Sequence, residues 1–250
     1  MCIRDSRASY RRKWNKIISL FDSSGVEQFA LEELMRVVNA YYSELFLSSR
    51  PPIDKDLIEN VEVRLTDAMR DVLLKPYPKD EVVMALKDMH PTKSPGPDGF
   101  PALFYSRFWD VVGDEVCSMI VRFLNFGGMP AKVNDTHVVL IPKVKRPREM
   151  KDLRPISLCN VLYKLISKTL ANRLKTFLLD IIDDNQSAFV PGRLIIDNIL
   201  LASEIFHFMK ISSARKRGFM ALKLDMSKAY DRIKWDYLEG IMLKMGFPEI

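Results

Sequence analysis

One carboxylate in this sequence stands where a protein can hold a metal ion. Asp225 ends a short, mainly apolar run that begins at Phe219 and follows the basic, glycine-ended cluster at 215–218. Such a run predicts a buried strand over 219–225 that delivers Asp225 to its end. A carboxylate in that place can hold a metal ion. The alternative is that Asp225 caps a turn, as Asp commonly does.

An aromatic residue and a second acid follow at short spacing. Tyr230 stands five positions after Asp225, and Asp231 comes directly after it. Asp231 is predicted to be the N-cap of a helix that begins near Ile233. The stretch 219–231 therefore combines a candidate metal ligand with an aromatic side chain at the start of a helix.

A cluster of cations lies between two predicted strands. The strands are predicted at 136–142 and 153–158, and the bend at Arg146 and Pro147. The six cations of this hairpin are Lys143, Lys145, Arg146, Arg148, Lys151 and Arg154. These like charges repel each other unless an anion is near, and a nucleic-acid backbone would supply it. The alternative is a solvated basic edge that prevents sheet aggregation.

Two loops carry further candidate contacts. The run 93–100 contains two prolines and two glycines, and it predicts a shaped loop whose amide groups can approach a phosphate closely. An interdomain turn is the alternative. In the run 185–193, Pro191 and Gly192 are predicted to direct the guanidinium of Arg193 out of a turn, where it can make a bidentate contact with phosphate.

The N-terminal region mixes basic and aromatic residues. Its cations are Arg7, Arg11, Arg12, Lys13 and Lys16, interleaved with Tyr10 and Trp14. Such a mixture can contact phosphates and stack on bases, although a solvated face or a linker is the alternative interpretation. A turn signal over 22–25 predicts that a hairpin follows.

Helices are predicted to position these residues. Apolar residues recur at helical spacing in the ranges 30–47, 80–89, 101–126, 162–177, 199–206 and 235–245. The aromatic side chains at 104, 105, 108 and 109 are expected in the core rather than on bases. Pro76 and Pro78 mark a predicted boundary between residues 1–78, a basic and helical extension, and residues 79–250.

Composition limits the classes of protein. The 250 residues are 48% hydrophobic and 28% charged, which suits one large or two small globular domains. The net charge of +6 and the pI near 9.1 favour a polyanionic partner. Three widely separated cysteines exclude a disulfide framework and a CxxC zinc pair, so an intracellular setting is expected. No apolar run approaches the ~18 residues of a membrane helix, so no membrane partner is expected.

Four motifs, taken in order, resemble the reverse transcriptases of LINE-type, non-LTR retrotransposons. The run 94–99 is similar to the loop at the front of the fingers in that family. The run 154–158 with Tyr163 and Lys164 is similar to its first fingers motif, and the run 185–193 to its second. The run 225–231 is similar to its first catalytic motif. The resemblance covers residues 79–250.

The resemblance implies an α+β fold: the fingers and the first part of the palm of a right-hand polymerase, helix-rich with short antiparallel strands. It implies an RNA-directed DNA polymerase that uses an RNA template, a DNA primer, deoxynucleoside triphosphates and Mg²⁺.

The resemblance also implies roles for single residues. Asp225 is implied to be catalytic, and to ligate the metal together with the backbone carbonyl of Met226. Tyr230 is implied to lie under the sugar of the incoming nucleotide and to exclude a 2′-hydroxyl. Arg154 and Lys164 are implied to face the triphosphate, and Arg193 to lie where the template is held.

One departure from the family pattern limits the expected activity. The family supplies two more acids in a Tyr/Phe-x-Asp-Asp hairpin downstream, and no Asp-Asp follows Asp225 here; Asp183 and Asp184 lie upstream in a different context. Two metal ions need carboxylates that bridge both. The sequence therefore predicts an incomplete and inactive fragment. The alternative is a non-catalytic, RNA-binding remnant similar to a maturase.

Overall fold

The chain forms mainly helices, together with two short antiparallel ladders. The computed structural model describes residues 3–48, 55–211, 219–226 and 229–249. The helices are α1 Ile3–Trp14, α2 Leu31–Phe46, α3 Lys55–Glu59, α4 Asp67–Leu74, α5 Lys79–Lys87, α6 Ala102–Arg107, α7 Trp109–Phe126, α8 Val161–Lys175, α9 Leu178–Ile181, α10 Ile195–Ile211, α11 Ala229–Arg232 and α12 Trp235–Lys244. The strands are β1 Leu20–Phe21, β2 Glu27–Gln28, β3 Thr136–Pro142 and β4 Leu153–Cys159. The predicted mixture of many helices and short antiparallel strands is confirmed.

The chain divides into two compact units. Unit 1 comprises Met1–Arg50 and Val82–Ile166, and unit 2 comprises Pro51–Glu81 and Ser167–Ile250. The chain passes from one unit to the other within α5 and within α8. The boundary predicted after residue 78 stays a prediction.

The larger core of unit 1 is built by four helices. Its buried residues are Val82, Ala85 and Leu86 of α5, Ala102 and Tyr105 of α6, Val116, Cys117 and Ile120 of α7, Val133, and Val161, Leu165 and Ile166 of α8. The spacing of three or four positions places these side chains on one face of each helix, and burying them supplies the main stabilisation of the unit.

The single helix predicted over 101–126 is two helices. Phe108 takes φ −109° and ψ 25°, outside the helical range, so α6 ends and α7 begins there. Tyr105 is buried, and Phe104 and Trp109 pack against the core, as predicted. Phe108 is half exposed because it stands at the interruption.

The two hairpins of unit 1 form where turn and strand patterns predicted them. In the first, Asp22 Oδ1 accepts hydrogen bonds from the amides of Ser24 and Val26, which closes the turn between β1 and β2. In the second, β3 and β4 pair from Thr136↔Cys159 to Pro142↔Leu153. A second core joins the hairpins to α2 through the buried residues Leu20, Met150 and Leu153.

In unit 2, α12 packs against the segment that follows α3. The backbone amides of Arg64 and Leu65 both donate to Met245 O at 3.0 Å. Gly240 lies against the side chain of Ile58, with an ideal Cβ only 2.7 Å from Ile58 Cδ1. These contacts fix the end of the chain that follows the candidate catalytic motif.

Two local predictions in unit 2 are wrong. Residues 219–226 form neither strand nor helix, and all of them are exposed. A strand needs a hydrogen-bonded neighbour, and the ladders among the described residues are β1–β2 and β3–β4. Asp231 is not an N-cap, because the chain makes the short helix α11 around it and the following helix starts at Trp235 with Lys234 at its N-cap.

Within the described ranges, no helix is both long enough and apolar enough to cross a membrane.

Candidate nucleic-acid and nucleotide interface

The cations of the second hairpin lie together at its tip, defined here as residues 143–152. All six predicted cations are exposed: Lys143, Lys145, Arg146, Arg148 and Lys151 on the tip, and Arg154 on β4. The structure thus brings together the hairpin residues that the sequence singled out for phosphate contacts.

Three of these cations have local partners. Lys143 Nζ donates to Lys151 O at 2.7 Å. Lys151 Nζ lies 2.6 Å from Glu149 Oε2, and the hydrogen bond that Lys151 donates to this carboxylate raises the pKa of Lys151. Arg148 Nε lies 3.9 Å from Glu27 Oε1. The expectation of unpaired positive charge therefore applies to the other members of the cluster.

Lys145, Arg146 and Arg154 have no carboxylate partner among the described residues. The ammonium of Lys145 lies 5.7 Å from the centroid of the Trp14 ring. Because nothing in the described chain neutralises these side chains, they are the members of the cluster best placed to meet an external anion.

The loop 93–100 is fastened to the start of α8. Lys164 Nζ donates to Ser94 O at 3.0 Å. Asn160, only 5% exposed, accepts a hydrogen bond from the amide of Asp98 at 3.1 Å through Oδ1 and donates to Lys132 O at 3.0 Å through Nδ2. Sequence reasoning missed Asn160, because a single Asn between a strand and a helix carries no periodic signal.

The guanidinium of Arg193 points into its turn, so its predicted outward direction is wrong. The side chain is 14% exposed and lies 3.0 Å from Asp184 Oδ1. It also donates to the carbonyls of Asp183, Gln186, Ile182 and Leu179. Backbone carbonyls at the end of a helix lack intrahelical partners, and a guanidinium satisfies several of them at once.

The two consecutive acids upstream of the catalytic motif also serve this turn. Asp183 Oδ1 accepts from the backbone amide of Asn185 at 2.9 Å and from its side chain at 2.8 Å. These hydrogen bonds hold the pKa of Asp183 below its usual range. With Asp184 paired to Arg193, both carboxylates have structural partners.

Asp225, Met226 and Tyr230 are exposed in unit 2. The Tyr230 ring is 78% exposed and meets Phe189 edge to face, with 6.5 Å between the ring centroids. Phe189 has φ 65°, which is uncommon for a bulky residue. The structure thus joins the run 185–193 to the run 225–231, a contact that no local pattern predicted. Ser227 and Lys228 of that motif, and the cluster at 215–218, lie outside the described residues.

The donor set around Asp225 does not fit a complete metal site. Mg²⁺ takes six oxygen ligands and commonly one or two carboxylates besides substrate phosphates. In the part of the chain that the structure describes, no group of three or more His, Cys, Asp or Glu side chains is placed to hold a metal ion. Asp225 supplies one exposed carboxylate.

Comparison with known proteins gives a family for this arrangement. Residues 141–250 match the family model described as "Reverse transcriptase (RNA-dependent DNA polymerase)". This range holds the hairpin tip, the second fingers motif and Asp225.

Several proteins of transposable elements are similar to the chain over longer stretches. The "Transposon TX1 uncharacterized 149 kDa protein" of Xenopus laevis is 33% identical over 98% of this chain, which corresponds to 19% of that protein. The "Probable RNA-directed DNA polymerase from transposon BS" of Drosophila melanogaster is 26% identical over 76% of the chain and 21% of that protein. The "Retrovirus-related Pol polyprotein from type-1 retrotransposable element R2" of Bradysia coprophila is 26% identical over 62% of the chain and 17% of that protein.

The chain spans between 14% and 21% of the length of the curated relatives that it matches. The comparisons confirm the resemblance that the ordered motifs predict. Over residues 141–250 the chain therefore matches the reverse transcriptase family, and along nearly all of its length it is similar to the transposon protein of Xenopus laevis.

Proposed function

We propose that this chain is part of an RNA-directed DNA polymerase of a non-LTR retrotransposon, acting on an RNA template, a DNA primer and deoxynucleoside triphosphates. The observation that carries the proposal is the match over residues 141–250, which contains the exposed basic hairpin and the motif at Asp225 in family order. The fingers and the first part of the palm of a right-hand polymerase are the regions to which the chain is assigned.

In unit 1, the hairpin tip binds the phosphate backbone of template or primer. Its cations are exposed, and Lys145 and Arg146 lack a carboxylate partner among the described residues. Arg154, also exposed and without such a partner, is the stronger of the two candidates for the triphosphate. Lys164 is the weaker candidate, because its ammonium already donates to Ser94 O.

In unit 2, Asp225 and the carbonyl of Met226 are the proposed contribution to a divalent-metal site, with Mg²⁺ as the expected ion. When bound, the metal would supply positive charge for the triphosphate. The described residues do not complete that site, so the proposal rests on the family match rather than on a metal centre. Tyr230, exposed and held edge to face by Phe189, is the proposed wall against a 2′-hydroxyl.

The phosphate-binding role of the hairpin tip is testable by charge removal. Replacing Lys143, Lys145, Arg146 and Arg148 with alanine should weaken binding to RNA of any sequence. It should also lower the slope of log affinity against log salt by roughly 0.7–0.9 for each phosphate that the protein no longer neutralises. Fluorescence anisotropy with a labelled RNA, titrated at several salt concentrations, measures both quantities.

The pair Lys145→Ala/Arg146→Ala should account for most of the change, because these side chains lack local carboxylate partners. A matched control is Lys87→Ala/Arg122→Ala, which removes two cations of unit 1 from α5 and α7. A salt slope that stays the same in the four-residue variant, or that falls as much in the control, would contradict the assignment.

The polymerase role is testable at Asp225 and Tyr230 in a longer protein of the same element that includes further carboxylates. Asp225→Asn should reduce primer extension by several orders of magnitude, because the amide cannot carry the carboxylate charge. Tyr230→Ala should admit ribonucleotides, because it removes the side chain proposed to block the 2′-hydroxyl. Single-nucleotide incorporation with deoxy- and ribonucleotides measures both effects.

Asp231→Asn is the matched control for the charge, since Asp231 lies nearby in the short helix α11. An Asp225→Asn protein that retained most of its templated synthesis would refute the motif assignment. RNA binding without any extension by the unaltered longer protein would favour the non-catalytic remnant.

A further inference from the structure

Helix α1 carries a set of rings and cations that the proposed polymerase role does not use. Arg11, Arg12 and Lys13 occupy its last turn, and Lys16 follows; all four are exposed. Tyr10 is 64% and Trp14 40% exposed, and their ring centroids lie 5.9 Å apart with 32° between the planes. All of these residues precede the range 141–250 that matches the reverse transcriptase family.

The Trp14 ring connects α1 to the hairpin tip. Lys145 Nζ lies 5.7 Å from the centroid of the Trp14 ring, within the range of a cation–π contact. Arg148 lies 5.9 Å over Phe21, on the strand that follows α1. The Trp14 ring thus belongs to the same helix as the α1 cations and also borders Lys145 of the tip, within unit 1.

The carboxylates near this surface are already engaged. Glu149 pairs with Lys151, and Glu27 accepts from Ser19 and lies near Arg148. Asp22 accepts from Ser24, Val26 and Gln28, and these hydrogen bonds hold its pKa below the usual range. Among the described residues, no carboxylate pairs with any of Arg11, Arg12, Lys13, Lys16, Lys145 and Arg146. The surface therefore keeps a strong positive potential that favours a polyanion.

The exposed rings of Tyr10 and Trp14 indicate which kind of polyanion fits this surface. An aromatic side chain stacks on a nucleic-acid base only when the base is unstacked from its neighbours, as in single strands. In a duplex the phosphates are available but the faces of the bases are covered. Exposed rings bordered by cations therefore fit a single strand better than a duplex.

We propose that α1 and the hairpin tip form one surface that binds single-stranded RNA, with Tyr10 and Trp14 stacking on bases and the surrounding cations contacting phosphates. The part played by the tip rests on the proposed function, and the part played by α1 goes beyond it. The surface is placed to hold unpaired RNA beside the tip.

The test uses the full 250-residue chain and fluorescence anisotropy with a labelled, unstructured RNA strand and with the same strand in a duplex. Tyr10→Ala/Trp14→Ala should weaken binding of the single strand about tenfold or more and change binding of the duplex less than about twofold. Trp14→Phe should keep most of the affinity, because it retains a ring. Phe126→Ala is the control, since it removes an exposed ring at the end of α7.

A second arm removes charge from α1 alone. Arg11→Ala/Lys13→Ala should weaken binding of both single strand and duplex and lower the salt slope, whereas Lys87→Ala/Arg122→Ala should change neither. Circular dichroism of each variant establishes that the helices are retained, and Trp14→Phe provides the variant least disturbing to packing.

Single-strand affinity within twofold of the unaltered chain in Tyr10→Ala/Trp14→Ala would overturn the inference. If the tip variants lose RNA binding while the α1 variants do not, the inference fails and the proposed function stands. If the tip variants keep RNA binding and the α1 variants lose it, the role proposed for the tip fails instead.

Discussion

At the scale of single residues, the guanidinium group of Arg173 fixes the backbone of unit 2 through its hydrogen bonds. Arg173 lies 2.8 Å from Glu81 Oε1 through Nη2 and 3.2 Å from Oε2 through Nε, and its side chain is nearly buried. It also donates to the carbonyls of Leu73, Lys75 and Pro76, and its guanidinium lies 3.4 Å from the centroid of the Tyr77 ring. The planar fork of Arg, unlike an ammonium, can serve all of these partners together.

Replacing Arg173 with lysine should therefore destabilise unit 2. Lysine cannot keep the bidentate pair with Glu81 or stack flat on Tyr77, and the carbonyls would lose donors in a place that water reaches poorly. A decrease of about 2–4 kcal/mol in the free energy of unfolding is expected. Urea denaturation followed by circular dichroism measures it.

Arg70→Lys is the matched control for that change. Arg70 pairs with Asp67 at 2.6 Å on the exposed surface of α4, where an ion pair contributes about 0.5 kcal/mol or less. Equal unfolding midpoints for Arg173→Lys and Arg70→Lys would mean that the network around Arg173 does not stabilise the unit.

At the scale of elements, the loop 93–100 and the start of α8 are built as one piece. An ideal Cβ on Gly96 would stand 2.4 Å from the backbone nitrogen of Asn160 and 2.5 Å from the carbonyl carbon of Cys159. Backbone atoms there cannot move aside, because Cys159 belongs to the ladder with β3 and Asn160 precedes α8. Glycine is thus required at position 96, because the backbone of residues 159 and 160 lies too close to leave room for a Cβ atom.

Gly96→Ala should displace the loop from α8 and break the hydrogen bond between Asp98 and Asn160. Overpacking of this kind costs about 1–3 kcal/mol. Unfolding in urea measures the loss, and faster limited proteolysis within 93–100 reports the displaced loop.

The control is Gly240→Ala, whose new Cβ would meet only the movable end of Ile58 in the middle of α12. Alanine is the better helix former, so the gain of up to about 1 kcal/mol offsets the contact. If Gly96→Ala kept native stability and an intact loop, the backbone around Asn160 would be able to shift and accommodate the new Cβ atom.

Local pattern predicted those elements whose partners are close in the sequence. The apolar run and terminal proline of β3, the turn at Asp22 and the apolar spacing of α7 and α8 all lie within short windows. The strand predicted at 219–225 failed because pairing depends on a distant neighbour. The predicted direction of the Arg193 side chain was wrong because carbonyl groups at and after the preceding helix accept its hydrogen bonds.

The same distinction applies to the candidate site. Residue types and order were enough to single out the hairpin cations and Asp225, and the family match agrees with that order. The hydrogen bond between Asp98 and Asn160 joins residues 62 positions apart. The ring contact between Phe189 and Tyr230 joins residues 41 positions apart. No local window of sequence contains either pair.

At the scale of the whole molecule, helix α10 stands out because its apolar side chains are exposed. Apolar side chains stand on all sides of the helix, and none of its residues is buried. A helix that is apolar all round is typical of the interior of a larger protein, and an exposed apolar surface of this kind promotes association. The predicted helix is therefore confirmed, but within the described residues its apolar side chains remain exposed.

The 250-residue chain, purified, should accordingly associate, bind RNA in low salt and show no templated synthesis. Association follows from α10, and RNA binding follows from the exposed cations of the hairpin tip. The absence of synthesis follows because Asp225 is the one carboxylate of the motif that is proposed to hold a metal. Sedimentation at several protein concentrations, anisotropy and primer extension measure the three properties in turn.

Substitutions on α10 test the cause of the association. Leu200→Lys/Phe206→Lys should shift the chain toward monomer, because both exposed side chains lie in the middle of the apolar surface. Val111→Lys, an exposed apolar position on α7, should leave association unchanged. A chain that is monodisperse without any substitution would show that α10 does not drive association. Robust templated synthesis would show that further catalytic carboxylates lie among residues whose observed contacts are structural.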